Sequence, residues 1–144
     1  MKIIFPCYEV RFNSETGRGL YATRDIEKKE VVMRSHILVL GKRETESVLK
    51  TVLGDYVFTY DSRRTCMLLS EAPLMNHSTT PNISYKIVTL KNEEVFQFVA
   101  KTDIAKGAEL CHDYGYKITT FKDHKISKQL KARTKAEQMV RRMS

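Results

Sequence analysis

The sequence predicts a mostly β domain with few helices. Runs rich in Val, Ile, Phe and Tyr are short, and polar or glycine-containing turns separate them. Only two stretches place apolar residues at helical spacing. The chain is 144 residues long, 42% hydrophobic and 29% charged, the composition of one ordinary globular domain. A chain of this length buries about two thirds of its unfolded surface, so it can fold without a metal or a disulfide.

The elements follow in order. Lys2–Phe12 reads as a strand, Asn13–Gly19 as a polar turn and Leu20–Thr23 as a short strand. Glu27–Glu30 is a charged turn, and Val31–Leu40 is one bent strand or two short ones ending at Gly41. Glu44–Leu53 is the first helix, because Val48, Leu49, Val52 and Leu53 share a face; Thr45 or Ser47 could cap its start, and Gly54 suits its end. Tyr56–Tyr60 and Cys66–Leu69 flank the polar turn Asp61–Arg64. Asn82–Leu90 and Glu94–Lys101 form a hairpin closed at 91–93, and Ala108–His112 is a last strand after the turn Ile104–Gly107. From Asp123, a plausible N-cap, Ile126, Leu130, Ala136, Val140 and Met143 fall in one arc, which predicts an amphipathic helix. No internal repeat or linker stands out. These shifts divide the chain into a domain over 5–117 and a basic helical extension over 118–144.

Charge separates the same two parts. Residues 1–116 carry 16 Lys/Arg against 15 Asp/Glu, whereas 117–144 carry 9 against 2. A basic tail fits contact with nucleic acid or an acidic surface, or a solvated helix face. No apolar run approaches ~18 residues, so no membrane-spanning helix is expected, and the opening residues read as strand rather than signal peptide. Cys7, Cys66 and Cys111 are widely spaced and form no Cys-x-x-Cys pair. Three reduced thiols in an intracellular protein is the simplest reading, with no metal site. The sequons at Asn76 and Asn82 are then chance matches. No Gly-x-Ser-x-Gly or His-Glu-x-x-His motif is present.

Three motifs remain. Gly17-Arg18-Gly19-Leu20 lacks the spacing of a dinucleotide fingerprint; by itself it is a glycine turn, or a backbone that lets a ligand approach closely. Asn76-His77-Ser78-Thr79-Thr80-Pro81-Asn82 is a polar loop, held by Asx turns or offering groups to a polar ligand. Gly107-Ala108-Glu109-Leu110-Cys111-His112-Asp113-Tyr114-Gly115-Tyr116 is a strand ending in two tyrosines.

In this order and at these distances, the three motifs resemble the SET-domain family of protein lysine methyltransferases. Lys101–Gly107 looks like the family's lead-in to the third motif, and the resemblance covers about residues 8–116. The small size resembles minimal SET proteins of large viruses and some microbes. The resemblance implies a SET fold: short antiparallel sheets around a knot-like crossing, with the Asn76–Asn82 segment against the segment carrying Tyr114. It implies S-adenosylmethionine as methyl donor, held by Gly17, Arg18, Gly19, Asn76 and His77, with Tyr114 beside the methyl as the catalytic residue. Tyr85, His112 and Tyr116 would line the lysine channel, and Phe121 would stack on adenine or pack in the core. His112 stands where the family usually has Phe or Tyr, which leaves the number of methyls added open. No cysteine follows Cys111 in these residues, so the family's zinc cap is not expected and the tail or a second subunit would close the site. The implied activity is methylation of a lysine on a histone tail or another protein, with a homodimer plausible. The alternative is a catalytically silent SET-like module that binds protein or nucleic acid.

Overall fold

The computed structural model describes residues 6–15 and 17–113. The tail helix, Tyr114, Tyr116 and Phe121 lie outside them. The described residues fall into two compact units, 6–36 with 70–113, and 37–69.

The first unit is a sheet with strand order β1-β2-β9-β7-β8-β3. Its strands are β1 (Tyr8–Asn13), β2 (Gly17–Ala22), the first part of β3 (Val31–Val39), β7 (Ile83–Leu90), β8 (Glu93–Ala100) and β9 (Glu109–His112). A two-residue strand β6 (Asn76–His77) pairs β9 in parallel, and every pair on the main path is antiparallel except β7–β9. Leu20, Ile83, Phe96, Phe98 and Leu110 are its fully buried centre. Phe96 and Phe98 alternate on one face of β8, as a half-buried strand requires. Lys91 and Asn92 both adopt positive φ, 50° and 65°, which gives the β7–β8 hairpin the two-residue turn that matches strand twist.

The structure shows a short internal repeat that composition conceals. Asp25-Ile26-Glu27-Lys28-Lys29 and Asp103-Ile104-Ala105-Lys106-Gly107 form matching turns. Ile26 and Ile104 exchange both backbone hydrogen bonds at 2.8 Å. Each aspartate crosses to the other turn: Asp103 Oδ1 accepts from Lys28 N at 2.9 Å and Asp25 Oδ1 from Lys106 N at 2.8 Å. Lys29 and Gly107 take the same positive-φ position, 73° and 88°. Both isoleucines are buried, so this crossing ties the entry to β3 to the entry to β9.

The second unit contains the end of β3, α1 (Lys42–Val48), a 3₁₀ turn (Val52–Asp55), β4 (Phe58–Thr59) and β5 (Thr65–Leu68). β5 pairs β3 on one side and β4 on the other. The helix starts earlier than its apolar face suggests and stops sooner. Gly41 is its N-cap, and Glu44 Oε1 accepts from Gly41 N at 2.9 Å. Thr45 is instead inside the helix and buried; its hydroxyl meets Thr65 Oγ1 at 3.1 Å and accepts from Thr65 N at 3.0 Å. Thr51 interrupts the predicted helix: its hydroxyl accepts from Leu53 N, starting the 3₁₀ turn in which Gly54 is buried.

Two other expectations are corrected. Gly17–Gly19 lies within β2 rather than in the turn, which is confined to Ser14 and its neighbours; Gly17 carries the positive φ of 78° at the strand's start. Asn76 and His77 are not loop but strand, because the third motif supplies a backbone partner distant in sequence. The middle motif is expected against the segment carrying Tyr114; within the described residues it lies against β9, the strand just before Tyr114, where Asn76 pairs Cys111, and His77 and Ile83 both pair His112. Among the described residues, no helix is long and apolar enough to cross a membrane.

Candidate active site

The three motifs meet along β9. On one side, Leu20 and Tyr21 of β2 pair with Leu110 and Glu109; on the other, β6 and the start of β7 pair with Cys111 and His112. Asn82 holds this meeting together with its side chain. Its Nδ2 donates to Glu109 O at 2.9 Å, and its Oδ1 accepts from Cys111 N at 2.8 Å. One carboxamide therefore imitates a strand's donor and acceptor, satisfying two backbone groups of β9. The Asn82 backbone continues the link, with its N–H to Cys111 O at 3.2 Å and its carbonyl accepting from Lys101 N at 2.8 Å. Sequence reasoning quoted Asn82 in a motif without seeing this role; an asparagine directly after a loop proline was the available signal.

Asn76 joins the other two motifs. Its Nδ2 donates to Arg18 O at 3.2 Å and to Glu109 Oε2 at 3.4 Å. Both neighbours are acceptors, which fixes the amide's orientation. Gly19 lies beneath it. A Cβ there would stand 3.0 Å from Asn76 Nδ2 and 3.4 Å from the Glu109 carboxyl, so any larger residue would have to push one of these side chains aside. At Gly17, which carries the positive φ, the same position meets none of the described residues beyond its chain neighbours within 4 Å. Arg18 is exposed, and its backbone carbonyl is the group that meets Asn76.

His77 lies beside Asp113, with Nδ1 3.9 Å from Asp113 Oδ1. His112 and Tyr85 come together in an aromatic cluster. The two rings meet edge to face at 5.3 Å, and Tyr85 stacks on Phe96 at 5.6 Å and lies 5.7 Å from Phe98. His112 is 2% exposed. Burial first, with the neighbouring His77 adding to it, pushes its imidazole down to about 4, against weaker support for the charged form from the Asp113 carbonyl. It is a neutral aromatic ring at physiological pH. Burial, then the charge of Glu109, pushes the Cys111 thiol up to about 12, which disfavours the nucleophilic thiolate.

Of the site residues named from sequence, Gly17, Arg18, Gly19, Asn76, His77, Tyr85 and His112 are described, and they lie on β9 and the three strands that pair with it, β2, β6 and β7. Tyr114 and Tyr116 follow β9 directly in sequence and lie outside the described residues. Glu109 and Tyr21 were missed as site residues, since a motif glutamate or a strand tyrosine gives no sign of its contacts before the fold is known. Among the described residues, no His, Cys, Asp and Glu group is placed to hold a metal.

Known proteins resemble this chain in sequence and in fold. The chain is 32% identical over 120 residues to the Drosophila melanogaster histone-lysine N-methyltransferase trr, an alignment covering 76% of this chain and 5% of that protein. It is 32% identical over 111 residues to the Xenopus laevis N-lysine methyltransferase KMT5A-B, covering 69% and 33%. The chain thus spans a third or less of these relatives' length. A crystal structure of a Plasmodium falciparum protein shares the fold, with TM-score 0.65 and 22% identity over 80% of this chain and 98% of that one. A crystal structure of the Chaetomium thermophilum polycomb repressive complex 2 gives TM-score 0.59 and 28% identity over 69% of this chain and 14% of that one. The SET-domain profile matches residues 17–115, from the first motif through the third, and the chain belongs to the SET-domain family.

Proposed function

We propose that this chain is a protein-lysine N-methyltransferase that uses S-adenosylmethionine. One observation carries the reading: Asn76 of the middle motif bonds the Arg18 backbone of the first and Glu109 of the third. Motifs far apart in sequence are joined at one place, as a binding site requires. Its relatives named as lysine methyltransferases support the reaction class.

The donor-facing groups fit S-adenosylmethionine. Beyond its chain neighbours, none of the described residues stands within 4 Å of a Cβ at Gly17, which supports a ligand lying against this backbone. Asn76, with both Nδ2 hydrogens committed, offers Oδ1 to an ammonium; His77 and the Gly17–Gly19 backbone complete the polar end. When bound, S-adenosylmethionine supplies an electrophilic methyl on a sulfonium sulfur. The chain's task is then alignment, because displacement at carbon needs the lysine nitrogen opposite the sulfur; such positioning contributes up to roughly 7–11 kcal/mol in favourable cases. Tyr85 and His112 form an apolar aromatic wall that excludes water from the lysine stem. Desolvation there favours the neutral amine, the form with a free electron pair. Tyr114 is assigned to orient the methyl through its hydroxyl, with weak C–H···O contacts, and Tyr116 to the same channel. The neutral His112 ring in the wall is assigned a part in setting the number of methyls. The lysine belongs to a histone or another intracellular protein, and the basic residues of 117–144 favour one bound to nucleic acid or carrying acidic surface.

The test is transfer of label from methyl-labelled S-adenosylmethionine to purified histones and lysate proteins. Labelled bands that vanish in Tyr114→Phe, while the variant still binds S-adenosylmethionine, are expected. Equal labelling by the variant would remove Tyr114 from its role. No label with any protein would favour the binding-module reading.

A further inference from the structure

Glu109 stands between two of the motifs with both carboxylate oxygens engaged. Oε1 accepts from the Tyr21 hydroxyl at 3.0 Å; Oε2 accepts from Asn76 Nδ2 at 3.4 Å and from the Cys111 thiol at 3.5 Å. The Tyr21 oxygen in turn accepts from Asn13 Nδ2 at 3.3 Å, so its single proton is committed to Glu109. The chain of bonds runs Asn13–Tyr21–Glu109–Asn76–Arg18 carbonyl and ties β1, β2 and β9 to β6.

We propose that Glu109 is a positioning residue for the methyl donor: it holds the Asn76 carboxamide with Nδ2 inward, so that Oδ1 and the Gly17–Gly19 backbone meet the donor's amino-acid end. The proposal rests on the functional reading above. Acceptor-only chemistry is what the position demands. A glutamine at 109 that keeps its oxygen toward Asn76 must turn Nε2 toward Tyr21, whose proton then loses its acceptor. The reverse orientation puts Nε2 against Nδ2, donor against donor, and turns Asn76 away. Either way one donor of the chain is left without its acceptor, the Tyr21 proton or Asn76 Nδ2, with almost no change in side-chain volume.

The test is calorimetric titration of S-adenosylmethionine into wild type, Glu109→Gln, Asn76→Ala and the double variant. Glu109→Gln should weaken binding about tenfold, the worth of one hydrogen bond to a charged group. The double variant should bind no more weakly than Asn76→Ala alone, because Glu109 acts through Asn76. A purely structural glutamate would give losses that add in the two backgrounds. Binding by Glu109→Gln within about twofold of wild type, or additive losses, overturns the proposal. Should Glu109→Gln fail to fold, Tyr21→Phe removes one oxygen and leaves the Asn76 bond; about threefold weaker binding is expected, and unchanged binding is the contrary result. Wild-type protein that binds no S-adenosylmethionine is a separate outcome, and it removes the functional reading together with the role of Glu109.

Discussion

Asn82→Ala tests how the motifs are brought together. The substitution deletes the carboxamide that serves Glu109 O at 2.9 Å and Cys111 N at 2.8 Å. Both are main-chain groups of a strand whose pairing with β6 and β7 depends on their placement. An unsatisfied buried backbone group costs about 1–3 kcal/mol. Asn82 is only half-buried, so water recovers part of that, and about 2–4 kcal/mol is expected for the pair. For a chain of this size that lowers Tm by roughly 10 °C. Urea unfolding of wild type and variant supplies the assay, with the midpoint shifting and the slope unchanged. Asn82→Asp sharpens it: one oxygen still accepts from Cys111 N, but the second faces the Glu109 carbonyl, so the aspartate should recover little of the loss. An alanine variant within about 0.5 kcal/mol of wild type would refute the clamp.

Other consequences follow from the same geometry. Gly19→Ala places a methyl 3.0 Å from Asn76 Nδ2; it should cost about 1–2 kcal/mol in thermal unfolding and weaken S-adenosylmethionine binding, and a silent alanine would contradict the close approach. His112 is held neutral in the fold, so the unfolded chain takes up its proton first as pH falls below about 6.5. Stability should therefore decline from there toward pH 4, by up to about 3 kcal/mol from this group, and His112→Phe should flatten that limb of a pH–stability curve. Cys111 should react with iodoacetamide at pH 8 at less than about one hundredth of its rate in the urea-unfolded chain, read by mass spectrometry of the peptide.

Strand periodicity made most of the sheet legible. Val31–Val39 and the 83–100 hairpin follow directly from β-branched and aromatic runs with a polar turn between them. What periodicity could not show was pairing between distant segments; for the 76–82 segment and the third motif, only the family resemblance implied it. Asn76 and His77 have no strand signal of their own and become a strand only because β9 lies beside them. The helix shifted because Gly41 and Glu44 cap it earlier than its apolar face begins. At the site, glycine and asparagine were legible as motif residues, whereas Glu109 and Tyr21 acquire their meaning from a contact spanning 88 residues. The paired Asp-Ile turns are hard to read from sequence because only three of their five positions match, and their likeness lies in crossed hydrogen bonds.

The most direct test of the central claim is the chemical identity of the product. Wild-type protein is incubated with S-adenosylmethionine and purified histones or lysate proteins, and the modified peptides are sequenced by tandem mass spectrometry. The account predicts added methyl groups on the side-chain nitrogen of defined lysines, absent from the Tyr114→Phe reaction. Methyl groups on arginine or on a carboxylate, or none on any substrate while S-adenosylmethionine is bound, would contradict it.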